Sequence, residues 1–308
     1  MNIRNLCFIF LLLLYSAQIF AAHTFPAHII LKTVNGQEID IDSYKGNTPV
    51  YIKFWATWCM DCMKQMPHLE ATQKKYKGKI KIIAVNLGVN DDQSSVSNVI
   101  KKFNLSMDVV IDKDGELAQK LNLIGTPYHV VVNRVGQVVY KGYVDTNPVD
   151  DALQKVLLEN GKQSPNNAQK HSVITQSESI NSDGLQAVYY FATWCDWYLK
   201  SSRPNMSQQC VRSQILINEL SSKNKKIKWR GVATRLWTNE EDVRKYAHKF
   251  NVSYPLEIDT TNQEIFASRI RVFPTLVLLE NGKEIYRTTA FDETEMCKSR
   301  TELCKQQG

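Results

Sequence analysis

Two hydrophobic rhythms alternate along the chain. Val50–Trp55 is an apolar run interrupted only by Lys53, as expected of a strand covered on both faces. Ala56-Thr57-Trp58 breaks it. Cys62, Met66, Leu69 and Tyr76 then recur at a spacing that puts them on one face of a helix opening at Cys59. Strand-type segments follow at Ile80–Asn86, Val109–Ile111, Tyr128–Asn133 and Val138–Val144, and helical ones at Val96–Phe103, Glu116–Leu121 and Val149–Leu158. Upstream, Ile29–Thr33 and Glu38–Ile41 flank Asn35-Gly36, the turn of a short hairpin. Strands alternating with helices, closed by a hairpin, predict an α/β sandwich around a central mixed sheet flanked by helices.

The rhythm stops at Asn160–Gly184, which is rich in Asn, Gln, Ser and Lys and reads as linker. It then returns. Val188-Tyr189-Tyr190-Phe191-Ala192-Thr193-Trp194-Cys195 restates the strand and turn before Cys59, with Trp194-Cys195 standing 136 residues after Trp58-Cys59. Phe273-Pro274-Thr275, with strands Leu276–Leu279 and Glu284–Arg287, restates the region around Pro127. The Cys-to-Pro interval is 68 residues in the first copy and 79 in the second, so the second carries an insertion, part of it expected within Leu199–Gln209. The resulting division is a leader at 1–22, a first domain at 23–160, a linker at 161–171, a second domain at 172–292 and a cysteine-containing tail at 293–308.

Cys59 and Cys62, spaced Cys-x-x-Cys at a helix start, supply the chemistry. Free backbone N–H groups and the positive end of the helix dipole stabilise a thiolate at Cys59 and lower its pKa. Cys62, one turn on, can close a disulfide or attack a mixed disulfide formed at Cys59. Half a zinc site is the competing reading. Zinc would need a second ligand pair at suitable spacing, and the six histidines are scattered at 23, 28, 68, 129, 171 and 248. No metal and no cofactor are expected.

Phe54-Trp55-Ala56-Thr57-Trp58-Cys59-x-x-Cys62 followed by Met66-Pro67, then Ile124-Gly125-Thr126-Pro127-Tyr128 and the hairpin through Val130–Asn133 and Gly136–Val139, resembles the TlpA/ResA-like thiol-disulfide oxidoreductases of the thioredoxin fold. The resemblance covers about residues 26–158 and implies two tandem thioredoxin-like folds, the second degenerate. It also implies that Pro127 is cis and lies against the active-site disulfide, on the edge where a substrate strand pairs. Two residues depart from the pattern. Where the family keeps a buried acid, six residues before the first cysteine, this chain has Lys53. A cation near the sulfurs would favour thiolate; alternatively its stem packs while the ammonium reaches water. Asp61, between the cysteines, either opposes the thiolate or is a solvated first-turn acid. Trp58 is expected to shield one side of the pair or to pack at the strand end, and Thr126 supports the Pro127 turn.

The leader has a secretory pattern: Arg4, an apolar core at Leu6–Tyr15, and small residues Ala21 and Ala22 for cleavage, with an uncleaved membrane anchor as the alternative. Export places the chain in the periplasm or an equivalent compartment where disulfides persist. Cys7 leaves with the leader, and six cysteines remain. In the second copy Tyr198 stands where the resolving cysteine should be, so Cys195 is a monothiol, a partner of Cys210 or an inert thiol. Cys297 and Cys304 either tie down the tail or form a second redox pair. A hydrophobic content of 43%, a charged content of 22% and a net charge of +7 describe an ordinary globular protein. The basic residues are dispersed, without the aromatic interleaving of a nucleic-acid site.

The expected function is periplasmic reduction of protein disulfides by a Cys59–Cys62 couple, with the second domain docking partner or substrate. By resemblance, electrons come from a membrane donor of the DsbD/CcdA type. The alternatives are a dithiol oxidase or isomerase, a non-catalytic client-binding scaffold, or a peroxiredoxin. Neither Cys59 nor Cys195 has the Pro-x3-Thr-x2-Cys setting of the last.

Overall fold

The computed structural model describes residues 24–143, 147–159 and 184–292, with Thr294 and Met296. The leader, most of the linker, and Cys297 and Cys304 lie outside the described residues. Among those described, no helix is long and apolar enough to cross a membrane.

The first strands among the described residues form a hairpin, β1 (Ile30–Lys32) and β2 (Glu38–Asp40), that packs beside a five-stranded sheet. That sheet is built from β3 (Val50–Trp55), β4 (Lys81–Asn86), β5 (Asp108–Ile111), β6 (Tyr128–Val132) and β7 (Val138–Gly142), in the order β5-β4-β3-β6-β7. β3 pairs parallel with β4 and antiparallel with β6, so its backbone is satisfied on both edges and every side chain of the run is buried. Helices α1 (Met60–Tyr76), α2 (Gln93–Phe103), α3 (Glu116–Lys120) and α4 (Asn147–Leu158) complete the unit. On α1 the residues spaced for one face, Cys62, Met66, Leu69 and Tyr76, are all buried. α2 starts at Gln93, three residues before the Val96 expected. Asp92 accepts from the Ser95 N–H while the Ser95 hydroxyl accepts from the Asp92 N–H, a capping box that holds the first turn.

The second unit repeats this plan. β8 (Leu185–Phe191), β9 (Lys228–Thr234), β10 (Leu256–Asp259), β11 (Thr275–Glu280) and β12 (Lys283–Thr288) run in the order β10-β9-β8-β11-β12, with the same parallel and antiparallel pairings. Its helices are α5 (Cys195–Tyr198), α6 (Pro204–Lys223), α7 (Glu240–Phe250) and α8 (Gln263–Ala267). β9 starts 33 residues after Cys195, where β4 starts 22 after Cys59, so the extra residues lie between Cys195 and β9, and Leu199–Arg203 is the break between α5 and α6. Pro204 opens α6 at a position where proline's missing N–H costs nothing.

Candidate redox site between two α/β units

Strand β3 ends at Trp55, and the turn Ala56–Trp58 delivers Cys59 to the start of α1. Cys59 is the N-cap of that helix, one residue outside it, where helical residue one was expected. Its sulfur accepts the Cys62 N–H at 3.1 Å, taking up a donor that the first turn leaves free. Cys59 and Cys62 are joined, with Cα atoms 5.2 Å apart. The Thr126–Pro127 peptide is cis, and Thr126 is buried. Lys53 does not reach water: it is 1% exposed, and its ammonium donates to Gln65 Oε1 at 2.7 Å, one turn beyond Cys62 on α1. Its β6 neighbour His129 is also buried, and its Nδ1 lies 2.7 Å from the Tyr51 hydroxyl. Burial first, then the Lys53 charge, lowers the His129 pKa to about 3. Asp61 is exposed and pairs with Lys64, as a solvated first-turn acid does.

Both cysteines are closed off from solvent, Cys59 at 1% exposure and Cys62 at 0%. The second unit packs on the residues that flank Cys59. Trp58 stacks on Trp194, ring centroids 4.7 Å apart. The Tyr198 hydroxyl, at the position of the absent second cysteine, accepts the Met60 N–H at 3.2 Å, directly after Cys59. Burial raises the pKa of this phenol, so it stays protonated. Arg203, from the segment between α5 and α6, donates to the Asn90 carbonyl at 3.0 Å, to Asp91 Oδ1 at 3.1 Å and to the Thr57 hydroxyl. Arg271 reaches the Leu87 and Asp112 carbonyls.

Cys195 opens α5 and is bonded to Cys210 on α6, Cα atoms 6.1 Å apart. The break at Leu199–Arg203 makes this possible, because a continuous helix would separate the two positions by about 22 Å. Phe273–Pro274 is the second cis peptide bond. Asn90, Arg203, Trp237 and Arg271 belong to no chemical motif and are silent in the sequence. The one local hint is at Asn90, since asparagine tolerates the left-handed backbone found there, φ 51°. Among the described residues, no group of three or more His, Cys, Asp or Glu side chains could hold a metal ion.

The Redoxin family model matches residues 20–157. The thiol-disulfide oxidoreductase ResA of Bacillus thuringiensis subsp. konkukian is 30% identical over 132 residues, covering 42% of this chain and 75% of that protein. Sporulation thiol-disulfide oxidoreductase A of Bacillus subtilis is 31% identical over 116 residues, 37% of this chain and 68% of that protein. The crystal structure of StoA from Bacillus subtilis, at 27% identity and a TM-score of 0.36, covers 41% of this chain and 97% of its own. With a joined Cys-x-x-Cys pair at a helix start and relatives matched over most of their length, this chain belongs to the redoxin-type thiol-disulfide oxidoreductases.

Proposed function

We propose that the chain is an exported reductase of protein disulfides and that Cys59 and Cys62 are its working couple. The observation that carries this is the placement of Cys59 as N-cap of a 17-residue helix with the Cys62 N–H on its sulfur. Once the pair is reduced, that N–H and the helix dipole favour the Cys59 thiolate over the thiol. The thiolate attacks one sulfur of a substrate disulfide, expelling the other as a thiolate that takes up a proton. Cys62, deprotonated, then attacks Cys59 Sγ in the mixed disulfide. The second substrate sulfur leaves, the substrate is reduced by two electrons, and Cys59–Cys62 is oxidised. Lys53, tied to α1 through Gln65, puts a positive charge on the strand that leads into the pair, at the position where the family keeps an acid. Pro127 shapes the backbone beside the sulfurs.

Regeneration requires two electrons per cycle, supplied in this reading by a membrane dithiol donor of the DsbD/CcdA type, since an oxidising compartment offers none. The leader at 1–22 accounts for export. The second unit, with proposed limits of 172–292, has Tyr198 in place of a resolving cysteine, so its role is docking.

Cys59→Ser is expected to abolish reduction of insulin disulfides, whereas Cys62→Ser retains attack and accumulates a mixed disulfide visible on a non-reducing gel. Unchanged turnover in Cys59→Ser would remove the assignment. The midpoint potential decides direction: about −270 mV marks a reductant and about −120 mV an oxidant.

A further inference from the structure

The two units meet through the faces that carry their Trp-Cys turns, and the contacts come in equivalent pairs. Trp58 Nε1 donates to the Val89 carbonyl at 2.7 Å, and Trp194 Nε1 to the Leu236 carbonyl at 2.6 Å. The next residue in each loop, Asn90 or Trp237, has the same left-handed backbone, φ 51° and 52°. From there the Asn90 N–H donates to the Arg271 carbonyl and the Trp237 N–H to the Ile124 carbonyl, both at 2.8 Å. Ile124 and Arg271 each lie three residues before a cis-proline. The interface is therefore pseudo-isologous, with each loop seated on the other unit's pre-proline backbone.

Side chains deepen the seating. The Asn90 amide pairs with both backbone groups of Phe273, at 2.7 and 3.2 Å. The Trp237 ring lies so close over Gly125 that a Cβ there would meet it at 2.5 Å.

We propose that the second unit is a resident cap on the Cys59–Cys62 couple, and that Arg203 is the latch that holds it shut. The proposal rests on reading Cys59 as the attacking thiol, and it specifies what the second unit docks: the first unit of the same chain. Cys59, a residue at 1% exposure, cannot bring its sulfur to a disulfide on another protein, because thiol–disulfide exchange needs the attacking sulfur to approach along the S–S axis. On the second-unit side Tyr198, Trp194 and Arg203 touch Met60, Trp58 and Thr57, the residues on either side of Cys59.

The polar contacts show how this cover can lift. Asp91, whose side chain has no solvent exposure, is held by the Thr57 N–H at 2.8 Å, the Thr57 hydroxyl and the Asn86 amide at 2.7 Å, all within its own unit. Loss of Arg203 therefore leaves Asp91 with three donors, while the freed guanidinium passes to water. A buried carboxylate that depended on Arg203 alone would weld the units together; this one does not.

The test uses the full chain with its disulfides reduced, following alkylation of Cys59 by iodoacetamide with peptide mass spectrometry. Arg203→Glu sets a second carboxylate against Asp91 and is expected to speed Cys59 labelling about tenfold or more, the weight of its lost charge-assisted hydrogen bonds. Insulin reduction should accelerate in parallel. Asn90→Ala, which removes the amide pair with Phe273 and the contact with Met206 Sδ at 3.4 Å, is expected to act in the same direction and serves if the charge reversal does not fold, as judged by circular dichroism.

Equal labelling rates in wild type and in both folded variants would overturn the cap, as would a wild-type rate matching that in urea. Faster labelling without insulin reduction in any form would keep the cap and remove the reductase reading. Equal labelling with full reductase activity would do the reverse.

Discussion

The two units share a strand order, a Trp-Cys turn and a cis-proline, yet differ at almost every position that bears on sulfur chemistry. Cys62 in the first corresponds to Tyr198 in the second. Lys53, six residues before Cys59, corresponds to Tyr189, whose buried hydroxyl lies 2.9 Å from the Ser213 hydroxyl. His129, paired with Lys53 across the sheet, corresponds to Leu276, paired with Tyr189. One unit keeps a sulfur couple, with a buried lysine on the strand that leads into it. The other has filled those places with aromatic and aliphatic groups and spent its cysteine on a bond to the following helix. The same strand order thus frames a joined Cys-x-x-Cys pair in one half and a strand-to-helix turn tied to the next helix in the other, which is the division that the proposed roles of reaction centre and docking face require.

Breaking Cys195–Cys210 sharpens the contrast most. The bond spans 15 residues, and a closed loop of that length is worth about 3 kcal/mol in chain entropy. Cys210→Ser is expected to lower the stability of the second unit by that order in urea titrations, while the midpoint potential of Cys59–Cys62 stays in place. A shifted potential would show that both cysteine pairs take part in electron transfer.

A smaller effect is expected at Gly125, which corresponds to the partly exposed Val272 in the second unit. Because the Trp237 ring covers Gly125, Gly125→Ala forces that ring aside, at about 1–3 kcal/mol for overpacking. Differential scanning calorimetry would register the loss, and an unchanged melting temperature would mean that the ring is not seated there in solution.

The smallest effect at neutral pH comes from His129. Its folded pKa, lowered to about 3, lies below the ordinary value of 6.5, so between these limits the unfolded chain binds the extra proton. Stability should therefore fall as pH drops below 6.5, by at most about 1.4 kcal/mol per pH unit from this group, until the slope ends near 3. Lys53 and His68 both press the pKa down. His129→Leu, which installs the second unit's residue, should flatten that part of the pH profile. An equal slope in both proteins would count against a neutral buried imidazole.

Much of the first unit was legible because its elements obey single periods. Val50–Trp55 and the Cys62–Met66–Leu69–Tyr76 face announce themselves without reference to anything distant. The start of α2 was hidden because its signal is a capping box at Asp92 and Ser95 in an otherwise polar stretch. β9 begins Lys228-Trp229-Arg230, charges that mask its strand period, and the partners of Arg230, Glu257 and Glu264, come from elsewhere in the unit. The site divides in the same way. Cys59 and Cys62 are adjacent in sequence and chemically distinctive. Asn90, Trp237 and Arg203 acquire their importance from contacts more than a hundred residues away, and the equivalence of Asn90 with Trp237 lies in backbone conformation, which residue identity does not display.

Because each Trp-Cys face fits the other, nothing in the contacts identifies the neighbour as belonging to the same polypeptide. The covalent connection makes that choice, holding the halves at an effective concentration on the order of millimolar. In dilute solution each molecule should close on itself. In a crowded compartment or a concentrated sample, reciprocal exchange between two chains would satisfy every hydrogen bond and ring stack equally well, giving a dimer whose population rises with protein concentration.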